Sequence, residues 1–415
     1  MKQYVIIGNG PAAAGCIEGI RSIDRHSPIT VISEENHPVY GRPLISYFLE
    51  GKTDPEHMLY RNPDFYERNR CRVLYGRKAV KLQKRPKRIL LDDRTELPWT
   101  SVCIAAGSGP FVPPMKGLET VSKKHTFMTL DDARELKEAV GPDSRVLIIG
   151  AGLIGLKCAE GLHALTEHIT VCDLADRVLS SILDAPCAAI VQKHLERHGI
   201  RFLLSDSADR FEDCTAYMKS GEKVEFDVLV LAVGVKANTS LAKEAGCTTG
   251  RGIAADSCMR TDVPGVYTAG DCCEGMDISL GARRVLAIMP NAYMQGHTAG
   301  VNMAGGEETF EQGIPMNSLG LLGLHIMTAG TYYTEEQGGE CYEEQTKDRL
   351  KRLYMKDGFL TGFILIGQVE RAGIYTSLIR ERTPLQNVDL EMLKKIATTA
   401  AFSPSARKQK FGKEN

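Results

Sequence analysis

The stretch from Arg145 to Asp173 constrains this chain more than any other. A short apolar run, Val146 to Ile149, ends in Gly150-Ala151-Gly152-Leu153-Ile154-Gly155, passes into a helix-forming segment, and returns through a second apolar run, Ile169 to Cys172, to Asp173. Strand, glycine turn, helix, strand and acid in that order make a complete dinucleotide-binding βαβ unit. Gly150 permits the tight turn, Gly152 lets a pyrophosphate approach the backbone, and Gly155 lets helix and strand pack closely. The N–H groups that open the helix around Leu153 and Ile154 have no partner within it and suit the phosphates. Asp173, 23 residues after Gly150, stands where a carboxylate accepts ribose hydroxyls.

At 415 residues the chain is too long for one small core, which implies two or three domains. Its 51 Lys and Arg nearly cancel 52 Asp and Glu, so there is no basic field for nucleic acid and no reason for membrane adsorption. No apolar run is long enough to span a bilayer, and Met1-Lys2-Gln3 leads straight into a strand. A cytoplasmic protein is therefore expected. The 12 cysteines are scattered, with one adjacent pair, Cys272-Cys273, and no CxxC, a pattern of reduced thiols and not of a disulfide framework or a metal site.

The beginning of the chain repeats the theme. Tyr4 to Ile7 reads as a strand, Gly8-Asn9-Gly10-Pro11-Ala12-Ala13 as the glycine turn with Ala in the third slot, and Ile29 to Ser33 as the second strand. Glu34 takes the position of the ribose acid, with Glu35 as its rival. Two such units imply two dinucleotides. The following loop carries Arg42-Pro43, a permanent cation on a rigid turn near the bound cofactor. Arg72 to Trp99 reads as a small antiparallel excursion. Ser101 to Gly107 is a strand ending in the small residues Ala106 and Gly107, as a strand does where a cofactor lies against its carboxyl end. Pro110 to Pro114 reads as a crossover between domains.

After the second unit, Val178 to Gly199 has helical periodicity, and Asp227 to Gly234 is an apolar strand whose end, Val233-Gly234, mirrors Ala106-Gly107. Val266 to Gly270 is a further strand, delivering Asp271 at its carboxyl end.

In order and spacing these segments resemble the FAD- and NAD(P)-dependent pyridine nucleotide-disulfide oxidoreductase superfamily. Within it they are most similar to the branch of NADH:rubredoxin reductases, ferredoxin reductases and the flavin part of nitrite reductases. The resemblance covers roughly residues 1–385. It implies an α/β fold of two Rossmann-like domains plus a C-terminal α+β interface domain. The expected boundaries are an FAD-binding domain at 1–111 and 237–314, an NAD-binding domain at 112–236, the interface domain at 315–385, and a helix and basic tail at 386–415. It also implies that FAD binds at Gly8, Gly10, Pro11, Ala12, Ala13 and Glu34 or Glu35. Arg42 and Pro43 would lie beside the isoalloxazine, Ala106, Gly107, Gly270 and Asp271 near the ribityl-pyrophosphate, and the helix of Pro290 to Gly296, with Asn291 and Gln295, near the pyrimidine ring. Asp173 favours NADH over NADPH, since a carboxylate repels a 2′-phosphate, with Arg177 close by as a solvated helix charge.

The chain departs from that pattern in two ways. The disulfide reductases carry a Cys-x4-Cys pair, and the related peroxidases a single Cys, where this chain has Tyr40 to Tyr47 and no cysteine. Cys16, in the first helix, is nearest, and helix packing accounts for it. Ferredoxin reductase-like members also pair a Lys just after the Arg-Pro with a Glu two places beyond the third glycine of the NAD turn. Here the Lys slot holds Tyr47 and the Glu slot holds Lys157. The expectation is that Lys157, with Glu50 as partner, supplies positive charge near flavin N5.

Beyond Pro315 comes a glycine-interrupted apolar stretch, Leu319 to Gly330, and then an acidic cluster of Glu335, Glu336, Glu340, Glu343 and Glu344. Leu350 to Met355 and Phe359 to Ile366, joined by Lys356-Asp357-Gly358, read as a hairpin. Gly367 to Arg380 and Val388 to Thr399 read as helices. Ser403 to Asn415, with Arg407, Lys408, Lys410 and Lys413 around Phe411, has a disorder-prone composition, read as a plain flexible terminus or as a basic tether for an acidic carrier. The implied activity is that of an NADH-dependent flavoprotein passing electrons through FAD to a rubredoxin or ferredoxin-like iron-sulfur protein, or in reverse to NAD+, as a homodimer or as a subunit of a larger redox complex. The alternatives are an NADH oxidase or peroxidase of the same fold and a non-catalytic FAD-binding subunit.

Overall fold

The computed structural model describes residues 2–411, with side chains to residue 408. It divides into two compact units, one of residues up to Gly275 together with Arg284–Phe310, the other of Met276–Arg283 together with Glu311 onward. The first unit holds two parallel five-stranded sheets. One runs in the order Val266–Thr268, Ser101–Ile104, Tyr4–Ile7, Ile29–Ile32, Cys71–Leu74, with Val5 opposite Val102 on one side and Thr30 on the other. The other runs Lys124–His125, Val228–Leu231, Val146–Ile149, Ile169–Asp173, Arg201–Leu204, with Leu147 opposite Leu229 and Thr170. In each sheet the glycine turn follows the central strand. Tyr4–Ile7 and Val146–Ile149 are buried throughout, which is why both read as continuous apolar runs and not as alternating ones.

The first sheet is closed by an unusually intimate helix pair. Helix Pro11–Ile23 carries Gly15 and Gly19, and helix Met289–Ala304 carries Gly296 and Gly300. A β-carbon on Gly15 would stand 2.2 Å from the Tyr293 carbonyl oxygen, and one on Gly19 2.2 Å from that of His297. From the other side, β-carbons on Gly296 and Gly300 would stand 1.9 Å from the Ala12 oxygen and 2.1 Å from the Cys16 oxygen. Each backbone thus lies in the groove left by the other's glycines. That approach fixes the N-terminus of one helix, beside Gly10, relative to the N-terminus of the other, at Pro290.

The excursion after the third strand is a three-stranded antiparallel sheet, Ala79–Lys84, Lys87–Leu91 and Glu96–Pro98, with Leu82 and Ile89 paired on its buried face. The segments that follow Gly107 and Gly234 pair with each other, Ser108–Pro110 antiparallel to Val235–Ala237. Val178 to Gly199 is helical only over Ala185–Arg197. Asp184 caps its N-terminus by accepting from the Cys187 N–H, and Leu179 at φ 51 interrupts what precedes it.

In the second unit a five-stranded antiparallel sheet runs Met316–Leu321, Leu324–Gly330, Phe359–Ile366, Leu350–Lys356, Glu340–Gln345. The hairpin at Asp357-Gly358 has both residues at positive φ, 51 and 78, the geometry that an Asp-Gly turn supplies. The helix expected from Gly367 begins at Ala372, because Gly367 and Arg371 both sit at positive φ. Residues 386–402 are part of this unit's core and no appendage to it. Leu393, Ala397, Ala401 and Phe402 pack in one cluster with Phe363 and Tyr375, the helix there being Leu390–Lys395. The supposedly disordered tail is helical over Pro404–Phe411; the part of it that holds Lys413 lies outside the described residues. The acidic cluster is partly neutralised at home, since Glu343 pairs with Arg352 and Glu344 with Lys351 across the edge of the sheet.

Candidate functional site

Both glycine turns are built as cradles. Gly8 (φ 110) and Gly150 (φ 119) admit no side chain, since a β-carbon would meet the carbonyl oxygens of Ala105 at 2.0 Å and Ala232 at 2.2 Å. A β-carbon on Gly155 would stand 1.9 Å from the Gly150 oxygen, so the third glycine closes the turn against its own helix. The second glycine behaves differently in both units. Gly10 and Gly152 would each place a β-carbon in open space, with no atom within 4 Å. These positions are N-caps of helices Pro11–Ile23 and Leu153–Leu162, and neither helix has a side-chain cap. Open space before an uncapped helix N-terminus is an anion site, and two of them fit two pyrophosphates. Ala12 and Ala13 are buried under the first turn. Gly107 and Gly234, at the ends of the facing strands, also look onto open space.

The acid of the second unit braces its own turn. Asp173 Oδ2 accepts the Ala151 N–H at 2.6 Å and Oδ1 accepts the Ala175 N–H at 2.8 Å, which holds the carboxylate beside the glycine turn. Leu174, the next residue, is 73% exposed, an apolar surface beside that carboxylate. Arg177 is spent on Asp176 at 2.6 Å and on the Leu183 carbonyl.

In the first unit the two rival acids have different surroundings. Glu34 is solvated and pairs with Lys78 at 3.2 Å. Glu35 is half-buried, and accepts from Tyr40 Oη and from Arg42 Nη2, both at 2.6 Å. Arg42 also donates through Nη1 to the Met128 carbonyl at 2.6 Å. Burial opposes its charge, yet Glu35 and Tyr40 hold the guanidinium above its ordinary pKa. Burial pushes the Asp271 carboxyl above the usual range, with the Arg42 charge opposing it, so these two groups share one electrostatic environment. Arg42 is thus anchored to the chain on two sides, and with Pro43 it opens the short helical turn Arg42–Leu44 that leads into Ile45–Leu49. Within helix Met289–Ala304, Asn291 and Gln295 are fully buried. Gln295 Oε1 accepts the Gly270 N–H at 2.8 Å, while its Nε2 finds no partner. That donor lies against Gly275, where an added β-carbon would stand 2.4 Å from it, so the side chain spans from the Gly270 N–H to Gly275.

Lys157 lies where helix Leu153–Leu162 meets helix Ile45–Leu49, with Gly161 against Ser46 and Leu49. Its ammonium pairs with Glu160, one turn along, and stands 4.7 Å from the centre of the Tyr47 ring. Glu50, the partner expected from the sequence, is paired with Lys52. The charge of Glu160 acts on Lys52 as well, and both carboxylates are only 5% exposed. Two acids and two lysines therefore form one cluster around Tyr47.

The cysteines are reduced, and those near the first turn are buried. Cys16 Sγ lies 3.7 Å from Met303 Sδ, and burial pushes the Cys272 thiol up to about 11. Among the described residues there is no cluster of His, Cys, Asp and Glu fit to hold a metal, and no helix long and apolar enough to cross a membrane. Sequence reasoning missed Glu160 and the ties of Tyr40 and Arg42 to Met128–Leu130. The four crossing glycines, at i and i+4 on each helix, could have been read from the sequence.

Residues 2–296 match the family model described as pyridine nucleotide-disulphide oxidoreductase. The chain is 30% identical over 394 residues to the NADH-dependent phenylglyoxylate dehydrogenase subunit epsilon of Aromatoleum evansii, covering 92% of each. It is 28% identical over 415 residues to the nitrite reductase [NAD(P)H] of Bacillus subtilis, covering 98% of this chain and 50% of that protein, so it spans about half of that relative's length. In fold it is similar to the covalent putidaredoxin reductase-putidaredoxin complex, with a TM-score of 0.86 at 20% identity, covering 100% of this chain and 99% of that one.

Proposed function

Since the chain belongs to the pyridine nucleotide-disulphide oxidoreductase family and is an NAD(P)H-dependent flavoprotein oxidoreductase, we propose that it carries electrons between NADH and a protein electron carrier, a rubredoxin or an iron-sulfur protein. Bound FAD would supply the chemistry, accepting hydride from the nicotinamide and passing electrons on. The protein's part is to hold the two cofactors against each other and exclude competing reactions. Gly8, Gly10, Pro11 and the open helix N-terminus behind them would hold the FAD pyrophosphate, with Glu35 or Glu34 on the ribose and Asp271 and Gln295 toward the flavin. Gly150, Gly152, Leu153 and Ile154 would hold the NADH pyrophosphate. Asp173 would accept the adenosine ribose hydroxyls and disfavour a 2′-phosphate.

The observation that carries this reading is the segment from Tyr40 to Tyr47, which holds no thiol and whose Tyr40 and Arg42 are committed to Glu35. Electrons would then leave the flavin directly. A relative named as the epsilon subunit of a dehydrogenase favours a carrier or partner subunit as acceptor over oxygen. Anaerobic mixing with NADH should bleach the flavin, and a rubredoxin or two-iron ferredoxin should restore its colour faster than air-saturated buffer does. Reoxidation fastest by oxygen would support the oxidase alternative instead, and a flavin that NADH does not bleach would support a purely structural FAD.

Lys157 would bring positive charge toward the flavin, tempered by Glu160. Replacing it by Met should lower the flavin midpoint potential or the rate of its reduction by NADH. Both values unchanged would remove Lys157 from the mechanism.

A further inference from the structure

The loop that carries Glu35, Tyr40 and Arg42 is bound on two sides at once. On the flavin-domain side, Asn9, between Gly8 and Gly10 of the first turn, donates through Nδ2 to the His37 carbonyl at 3.2 Å. Tyr66 Oη donates to Asn9 Oδ1 at 2.7 Å and accepts the Val39 N–H at 3.1 Å. Glu35 gathers Tyr40 and Arg42, as described above.

On the other side the same residues reach the NAD domain. Tyr40 Oη, having given its proton to Glu35, accepts the N–H of Leu130 at 3.0 Å. Leu130 opens helix Leu130–Ala139, so Tyr40 satisfies one of that helix's otherwise unpaired N–H groups from another domain. Arg42 takes the Met128 carbonyl, and His37 Nε2 meets Asp131 Oδ1 at 2.8 Å. The segment so gripped is stiff. Thr129 and Asp132 form a capping box, and Asp132 Oδ2 also accepts the Met128 N–H at 2.7 Å. Toward its far end the helix is held again, by Lys137 4.6 Å from the centre of the Phe48 ring. Through Lys124–His125 the segment continues into the edge of the NAD sheet, in register with Leu229 and Val230.

A buried hydroxyl held between two polar partners, one of them a candidate ribose acid, is more than a packing device. We propose that Tyr40 and Arg42 are positioning residues for hydride transfer: through Glu35 they couple the FAD-binding loop to the N-terminus of helix Leu130–Ala139, and so fix the NAD domain at the distance the transfer requires. A ribose hydroxyl on Glu35 would order its carboxylate, which orders Tyr40, which in turn caps the helix. FAD binding would thereby stiffen the NAD domain before NADH arrives.

The test uses the FAD-loaded protein and NADH alone, so it stands whichever carrier accepts the electrons. Tyr40→Phe keeps the buried ring and removes the hydroxyl. The rate of flavin reduction at saturating NADH should fall roughly 10- to 100-fold, as when reacting groups are held slightly out of place. The NADH dissociation constant should stay within about threefold, a difference too small to reflect a lost binding contact. Hydrogen exchange of the amides of Leu130 to Ala133 should quicken in the variant, and in the wild type it should quicken when FAD is removed. A reduction rate within twofold of wild type overturns the proposal, whether or not exchange changes, and so does exchange that responds to neither the variant nor FAD. Should Tyr40→Phe fail to retain FAD, Asp131→Ala carries the test. It frees the same helix end from His37 without touching Glu35, and should give a smaller fall in rate with faster exchange at Leu130 to Ala133; no change in either sinks the idea.

Discussion

The crossing of helices Pro11–Ile23 and Met289–Ala304 lends itself to a quantitative test at Gly300. The β-carbon of Gly300→Ala would lie 2.1 Å from the Cys16 carbonyl oxygen, 2.8 Å from the Ile20 nitrogen and 2.9 Å from the Cys16 carbonyl carbon. All three are backbone atoms, so no side chain can swing aside. Ordinary contact begins at 3.4 Å, so the helices must part locally by about 1.3 Å. A gap of that size forfeits half or more of the dispersion attraction between the atoms it separates. Overpacking of this kind costs about 3 kcal/mol at the upper end of the usual range, and the better helix propensity of alanine offsets about 1 kcal/mol of it. The net loss is about 2 kcal/mol, or about 3 °C in Tm for a unit of about 300 residues. Thermal unfolding should be followed in excess FAD, so that cofactor release does not contribute to the shift. Gly373→Ala is the control, since Gly373 is also helical but has nothing within 4 Å of its would-be β-carbon. It should be neutral or stabilising by up to about 1 kcal/mol. A Gly300→Ala protein that melts at or above the wild-type temperature would falsify the close crossing.

Two further substitutions separate binding from folding. Gly152→Val places its side chain in the open space before the second helix, so Tm measured without nucleotide should stay within a degree or two of wild type, while NADH affinity falls at least tenfold, a loss of about 1.4 kcal/mol or more. Equal affinity would mean that the pyrophosphate lies elsewhere. Asp24 accepts the N–H groups of Ser27 and His26 and the Tyr4 hydroxyl, each at 3.0 Å, and the Ser27 bond leads in holding its carboxyl well below the usual range. Its charge therefore stabilises the fold above the unfolded pKa of about 4, and that contribution is lost as pH falls through the folded value. Unfolding of Asp24→Ala compared with wild type should show a gap that is widest near neutrality and narrows below about pH 4; a gap constant with pH would refute the assignment.

The parts of the site that were legible in the sequence are those in which one short segment does all the work. A glycine turn between a strand and a helix is local, and the residues at 8–13 and 150–155 announced both cradles. What could not be read depends on partners distant in the chain. Glu34 and Glu35 are adjacent and chemically alike, and only the fold shows that one faces Lys78 and the other Tyr40 and Arg42. Lys157 was visible as an anomaly, but its partner was set by the helix repeat, which brings Glu160 beneath it while Glu50 turns to Lys52. Helix boundaries failed where single residues took positive φ, at Leu179 and Arg371, because neither residue type advertises that conformation. The acids at Glu343 and Glu344 read as an acidic cluster in the sequence, and only the neighbouring strand shows that Arg352 and Lys351 pair with them.

The crossed glycine helices also set a schedule for synthesis. Gly15 and Gly19 are made near the start of translation, but the helix that fills their groove begins only at Met289, and the strand that completes the first sheet only at Val266. Between them the ribosome must deliver the whole second parallel sheet, from Lys124–His125 to Val228–Leu231. At ordinary elongation rates the glycine face of the first helix waits about 15 to 55 seconds for its partner. For that interval the nascent chain presents an apolar groove and an unpaired strand edge at Ser101–Ile104, surfaces that chaperones bind. A site that needs the N-termini of both helices is then completed only near the end of the protein's making.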